Sequence, residues 1–386
     1  MFDKLLGDLD AQHLTRHLTE VSTGVAPTVT IDGREILLLA SNDYLGLAGH
    51  PDIVHAATEA TRRYGVGSGA SRLVSGTLSP HKDMERALAR FKRTASALAF
   101  GSGYLANLGA IPALIGRGGL ILADRLCHAS LIDACRLSGA DFRIYRHNDL
   151  DHLKALLSRR KAARRTMVVT DGVFSMDGDL APLAELFGLT RQYDAELYVD
   201  DAHGTGVMGQ TGRGTLEHFH LEETVPFHMG TLSKAVGCAG GYIAGTETLI
   251  TFLLNTSRSF MYTTAPPPGI AAAVVAALDI MQREPERRQR LWANRERLCD
   301  GLNRLGFTIG ASASPIIPII IGRADRALTF AEQLFSKGVF APAIRPPTVP
   351  ESTSRIRVTV TSAHTAEQID HAVTAFRLAG ESIRLI

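Results

Sequence analysis

The chain contains few lysines: seven of its 41 basic residues. Six of them stand in charged or helical surroundings that read as solvated. Lys234 differs, lying in GTLSKAVGCAGGYIAG just past an apolar run, among small residues and glycines. A lysine with no acid beside it in sequence and a tight backbone around it is either a buried amine with a lowered pKa or a covalent attachment point. Schiff-base chemistry needs both properties, because the neutral amine is the nucleophile; the plain alternative is a surface-loop lysine. A second constellation is LYVDDAHGTG, where an apolar strand ends in Asp200 and His203 follows at once. A carboxylate at such a strand end could keep a pyridinium nitrogen protonated, making a pyridine ring an electron sink, with His203 in reach of the same ring edge. Read alone, the pair could equally be a helix N-cap aspartate and a surface histidine.

ALAFGSGYLANLG runs from a strand through Gly101-Ser102-Gly103 into a helix. Backbone N–H groups at a helix N-terminus cradle phosphate, and small residues let it come close. The same residues admit another reading. Gly101, Gly103 and Ala106 fit the G-x-G-x-x-A dinucleotide fingerprint, and Asp124 ends a later strand. GVGSGA at 65–70 fits the spacing too, but follows a helical run. A nicotinamide-dependent dehydrogenase built on Gly101 would leave Lys234, Asp200 and His203 without a task, so it ranks second. ADRLCHASLIDA puts His128 at the mouth of another strand, where an imidazole could stack on a planar cofactor or be a satisfied loop histidine. DGVFSMDGD places Ser175 after a strand, its hydroxyl able to bond a ring substituent. RIRVTVTSAH sets Arg355 and Arg357 on one strand face. One of them could clamp a substrate carboxylate bidentately; the alternative is a pair of solvated charges on an edge strand.

The elements that must position these residues follow from the hydrophobic pattern. Between about Ala95 and Gly245 short apolar runs (SALAF, GLILAD, FRIYR, TMVVTD, ELYVD, FHMGTL) alternate with helical stretches. That alternation predicts an α/β fold with a largely parallel sheet covered by helices on both faces, and ligands beyond the carboxyl ends of its strands. Ahead of it, residues 2 to 20 bring Phe2, Leu5, Leu6, Leu9, Leu14 and Leu18 near helical spacing. TVTIDGREILLLA reads as a hairpin turning at Asp32-Gly33. After the Pro-rich TTAPPPG at 263–269 come an alanine-rich helix and a long charged helix near Glu284 to Leu305. A small C-terminal α+β domain follows. The expected division is 1–45, an N-terminal helix and hairpin; 46–283, a large domain; and 284–386, the small domain.

With 386 residues the chain exceeds what a single core usually supports. A net charge of +2 argues against nucleic-acid or membrane-surface partners, which need a marked basic excess. Cys127, Cys135, Cys238 and Cys299 form neither a C-x-x-C pair nor a zinc-spaced cluster, so reduced thiols and no metal site are expected. The opening MFDKLLGDLDAQHLTRHL lacks a signal-peptide core, and no apolar run reaches the ~18 residues of a transmembrane helix, so a cytoplasmic location is expected.

Taken together, SNDYLGL, GSGASRLVSGT, HKDMERALA, ADRLCHASL, TDGVFSMDGD, VDDAHGTGVMG, TLSKAVG and RPPTVPESTSRIRVTVTSAHT resemble the α-oxoamine synthases over nearly the whole chain. These are acyltransferases among the fold-type I pyridoxal-phosphate enzymes. The resemblance implies that fold, with a central, mostly parallel seven-stranded sheet. It implies pyridoxal 5'-phosphate carried by Lys234, with Asp200 on the pyridinium nitrogen and His203 and Ser175 on the phenolic side. His128 would stack on the ring, and the backbone at Gly103 and Tyr104 would hold the phosphate together with Thr231. Thr263 and Thr264 would reach the phosphate of a partner subunit, making a homodimer with shared sites. Arg357 would grip the amino-acid carboxylate; Asn42, Thr348, His128 and, by a loose match, Arg16 would touch substrate. RPPTVP points within the family to members joining L-alanine to a pimeloyl thioester, on coenzyme A or a carrier protein. Glycine C-acetyltransferase, 5-aminolevulinate synthase and serine palmitoyltransferase share the core.

Overall fold

The computed structural model describes residues 1–11, 15–16, 18–160 and 164–386. The opening helix covers Phe2–Ala11 and buries none of its residues, so it is shorter than the pattern over 2 to 20 predicts. Leu14, part of that pattern, lies outside the described residues. The hairpin forms as expected from strands β1 (Thr28–Ile31) and β2 (Arg34–Leu38). Asp32 and Gly33 turn it with φ of 49° and 71°, the left-handed pair a two-residue type I′ turn requires.

Seven strands build the central sheet: β3 (Ser96–Phe100), β4 (Leu120–Asp124), β5 (Asp141–Tyr145), β6 (Thr166–Asp171), β7 (Glu196–Asp200), β8 (Phe227–Thr231) and β9 (Gly241–Gly245). Their order is β3-β9-β8-β7-β6-β4-β5, and only β9 runs against its neighbours. The sequence pattern misses β9, whose GYIAG has two glycines and little apolar mass. Those glycines are needed there: a Cβ on Gly241 would come within 2.5 Å of Ser102 O and 2.6 Å of the Gly103 backbone. The inner strands are buried on both faces, as parallel strands are. Ile121, Ala123, Met167 and Val169 pack toward the helices Gly103–Leu114 and Ala129–Leu137. The alternate residues Leu120, Leu122 and Val168 pack toward Leu150–Ser158 and Leu183–Gln192. Asp124, Asp171, Asp200 and Thr231 thereby all stand at one edge, where their strands end.

The late residues form β10 (Ile316–Gly322), β11 (Val339–Phe340), β12 (Ala343–Ile344) and β13 (Ser354–Thr359). β13 is the middle strand of β10-β13-β12, so Arg355 and Arg357 are buried and not solvated edge charges. β11 adds in parallel to β2, stitching the hairpin to residues some 300 positions later. Phe307, Phe330 and Phe376 make a ring cluster with centroids 5.7–5.9 Å apart under these strands. Among the described residues no helix is long and apolar enough to cross a membrane.

One polar tie fixes the loops beside the strand ends. His147 sits between Asp124 and Asp179, each of its ring nitrogens 2.9 Å from a carboxylate oxygen. Burial alone disfavours the imidazolium, but the hydrogen bonds and charges of the two aspartates outweigh it and push His147 up to about 10. The folded state therefore binds this proton more tightly than the unfolded chain, where histidine titrates near ~6.5. Its contribution is fully present below that value and is lost as pH rises toward 10, on the order of 1–3 kcal/mol. The gap in urea midpoint between the native chain and His147→Gln should narrow steadily from pH 6 to pH 10. A gap that holds constant over that range would show that the ring carries no bound proton.

Candidate active site

The edge formed by the strand ends opens into a cavity of about 230 Å³. Gly103, Tyr104, His128, Asp200, His203, Thr231 and Lys234 all line it, joined by Ser102, Ser130, Asp171, Ala202, Met229 and Ser233. Sequence positions from 102 to 234 thus converge because β3, β4, β6, β7 and β8 end there and the helices Gly103–Leu114 and Ala129–Leu137 begin there.

Lys234 follows β8 in the turn that leads back into β9. Its ammonium is held below the usual lysine value chiefly by burial, with Arg357 adding to the effect and Asp200 and Asp171 opposing it. Asp200 ends β7 and is buried. One of its oxygens accepts from Asn107 Nδ2 at 2.7 Å, the other from the Ala202 N–H at 2.9 Å. Asn107 is fixed in turn, accepting from Tyr198 Oη at 2.9 Å and donating to Ser130 Oγ at 2.9 Å. Ser130 Oγ lies 2.7 Å from His128 Nδ1, and His128 caps the helix Ala129–Leu137. Burial lowers the pKa of His128, and that of His203 further, so both rings are neutral.

The helix Gly103–Leu114 points its N-terminus at the same cavity. Ser102 caps it by accepting from the Leu105 N–H at 3.1 Å, and the first N–H groups of a helix have no carbonyl partner within it. A Cβ on Gly103 would lie 3.3 Å from Thr231 Cβ and Oγ1, so glycine is what lets the helix start beside that hydroxyl. Thr231 Oγ1 is 2.8 Å from Ser233 Oγ. Thr231 Oγ1 also donates to Gly240 O at 2.9 Å, so the donors here that fit an anion are the first N–H groups of the helix.

Other expected residues stand further off. Arg357 donates from Nε to Ser175 O at 2.6 Å and approaches Asn42 Oδ1 with Nη2 at 3.4 Å, so Asn42, Ser175 and Arg357 form one group beside Lys234. Arg355 turns instead to Asp177. Ser175 and Thr348 line a neighbouring cavity of about 430 Å³. Arg16 and Thr348 line another of about 430 Å³ with Arg345. Thr263 and Thr264 do not line the Lys234 cavity of their own chain; Thr264 bridges to Ser71 and is exposed.

Several residues escaped the sequence reading. Asp171 ends TMVVTD as Asp200 ends ELYVD, faces it across paired strands, and accepts from the His128 N–H at 2.9 Å; the shared strand-end position was the available signal. Lys92 overturns the view that every lysine but Lys234 is solvated. It is 1% exposed, donates to Arg213 O, and lies 3.7 Å from Asp201. It closes the helix Ser79–Lys92, whose last turn is pressed against the sheet, a matter of packing that local sequence does not encode.

Comparison with known proteins agrees with the motifs. The family description that matches is aminotransferase class I and II, over residues 34–376. An 8-amino-7-oxononanoate synthase from Geobacter sulfurreducens is 47% identical, covering 99% of this chain and 98% of its own. One from Symbiobacterium thermophilum is 46% identical, covering 99% and 97%. A serine palmitoyltransferase variant from S. paucimobilis, solved with bound PLP–myriocin, superposes with a TM-score of 0.95 at 31% identity, covering 100% of this chain and 98% of that one. The fold expected from the sequence is the fold observed, and this chain belongs to the class I and II aminotransferase family.

Proposed function

We propose that the cavity holds pyridoxal 5'-phosphate carried by Lys234, and that the enzyme condenses L-alanine with a pimeloyl thioester. The products are 8-amino-7-oxononanoate, the released thiol carrier and carbon dioxide, a step of biotin biosynthesis. One observation carries the reading: Lys234 lines a single cavity with the buried carboxylates of Asp171 and Asp200 and the imidazoles of His128 and His203. Relatives matching nearly the whole chain bear that enzyme's name.

The residues fit the cofactor. The N–H groups at Gly103 and Tyr104, with the Thr231 hydroxyl, would hold the phosphate where a Cβ on Gly103 would crowd Thr231. Asp200, fixed by Asn107 and Ala202, would keep the pyridine nitrogen protonated; from the cavity wall His128 would cover the ring and His203 would face its phenolic side, while Ser175, in the neighbouring cavity, would meet that side only at its margin. When bound, pyridoxal phosphate supplies an electron-accepting ring that stabilises negative charge at the amino-acid α-carbon. Arg357 binds the amino-acid carboxylate, steered by Ser175 O and Asn42. Lys234, with its amine easily freed of a proton, takes and returns the hydrogen at the α-carbon. Arg16 and Thr348, which line a cavity of about 430 Å³, would meet the acyl tail.

Thr263 and Thr264 stand outside their own chain's cavity, and we assign them to the phosphate of a partner subunit. Mixing a Lys234→Ala chain with one mutated at both threonines should then restore one working site per heterodimer. Full subunit exchange without any recovered activity would refute the shared site.

The overall reading is tested by carbon dioxide release, pairing alanine or glycine with pimeloyl-, acetyl- or succinyl-CoA. Alanine with pimeloyl-CoA should give the highest specificity constant. One methyl group is worth only ~1–3 kcal/mol to a pocket, so glycine should be slower by about 10- to 200-fold rather than inert. A preference for glycine with acetyl-CoA would make the enzyme a glycine C-acetyltransferase instead.

A further inference from the structure

Tyr44 has no part in the roles above, although it stands directly behind one of them. It comes from SNDYLGL and is fully buried, and its hydroxyl lies 2.7 Å from His203 Nδ1 across a sequence separation of 159 residues. The Arg357 guanidinium lies against the same phenol oxygen.

Which atom carries the hydrogen of that 2.7 Å bond decides what His203 offers the cavity. The phenol oxygen already faces a cation, which makes the hydroxyl a better donor and a poorer acceptor. Among the described residues its one rival acceptor, Asn42 Oδ1, is 3.4 Å away and itself faces Arg357 Nη2. The hydrogen therefore goes to Nδ1, the shorter contact. His203 is neutral, held so by burial and then by the charges of Lys234 and Arg357, so it keeps one N–H. With Nδ1 accepting, that N–H is on Nε2. Among the described residues Nε2 makes no hydrogen bond to the chain, and its ring lines the cavity.

We propose that Tyr44 is a positioning residue that donates to His203 Nδ1 and thereby fixes the imidazole as an Nε2–H donor toward the phenolic oxygen of the cofactor. The inference rests on the reading that pyridoxal phosphate occupies the cavity. It also ties that donor to Arg357, the residue assigned to the amino-acid carboxylate.

Neutron diffraction from deuterium-exchanged crystals of the holoenzyme reads the hydrogens directly. Deuterium should appear on His203 Nε2 and on the Tyr44 hydroxyl, directed at Nδ1; deuterium on Nδ1 overturns the proposal. Tyr44→Phe keeps the ring and removes only the hydroxyl. Its cofactor absorbance should titrate at a shifted pH, and kcat should fall about 10- to 100-fold, by analogy with the loss when partners that orient metal-ligating histidines are removed. The amino-acid KM should move far less than kcat. An unchanged absorbance titration with unchanged kcat also overturns it. If Tyr44→Phe does not fold, the neutron map of the native holoenzyme decides alone. The map does not depend on which amino acid or acyl donor reacts, so failure there leaves the proposed reaction standing. A protein that binds no pyridoxal phosphate would sink that reading and this inference with it.

Discussion

A carboxylate buried at the end of a central strand must have hydrogen-bond donors and a cation nearby, or the fold could not keep it there. Asp200 has both, and much of the large sheet is arranged around that need. Asn107 reaches it from the helix that opens at the glycine loop, and Tyr198, from the same strand, holds Asn107 in turn. The backbone N–H of Ala202 supplies the second donor. Lys234 supplies the positive charge, and the carboxylates raise its pKa while burial lowers it. One cluster thus sets a buried anion beside an amine whose protonated form burial disfavours, which is the pairing the proposed cofactor would use.

The neighbouring acid needs its own cation. Asp201 points away from the cavity, accepts from the N–H and hydroxyl of Thr215, and is raised to about 6, by burial first. Lys92 offsets that penalty from behind the sheet. Each of two adjacent buried aspartates therefore has its own lysine, Lys92 on the structural side and Lys234 on the cavity side. The glycines follow from the same crowding: a Cβ on Gly214 would lie 1.6 Å from Asp201 Oδ2, and its φ of 115° suits glycine alone.

Much of this was legible in the sequence because the chemistry sits where patterns change. Asp200, His128 and Gly103 lie where apolar runs stop, and strand ends in parallel sheets are where ligands bind. Lys234 stood out by its surroundings. What stayed hidden depends on pairs distant along the chain. His203 and Tyr44, or Lys92 and Asp201, meet only after the sheet has closed, and neither local composition nor periodicity records such a meeting. β9 was missed because its glycines serve close backbone approach and so erase the apolar signal of a strand. The hydrogen bonds that tie Arg357 to Ser175 O and Asn42 were likewise hidden, since a buried middle strand and a solvated edge strand can read alike.

Lys234, and not the buried Lys92, is proposed to carry the cofactor. Borohydride reduction of the purified holoenzyme fixes bound pyridoxal phosphate to whichever amine holds it, and peptide mapping then locates the pyridoxyl group. The label should fall on Lys234 alone, with the visible absorbance lost on reduction. Label on Lys92, or on any other residue, would contradict it.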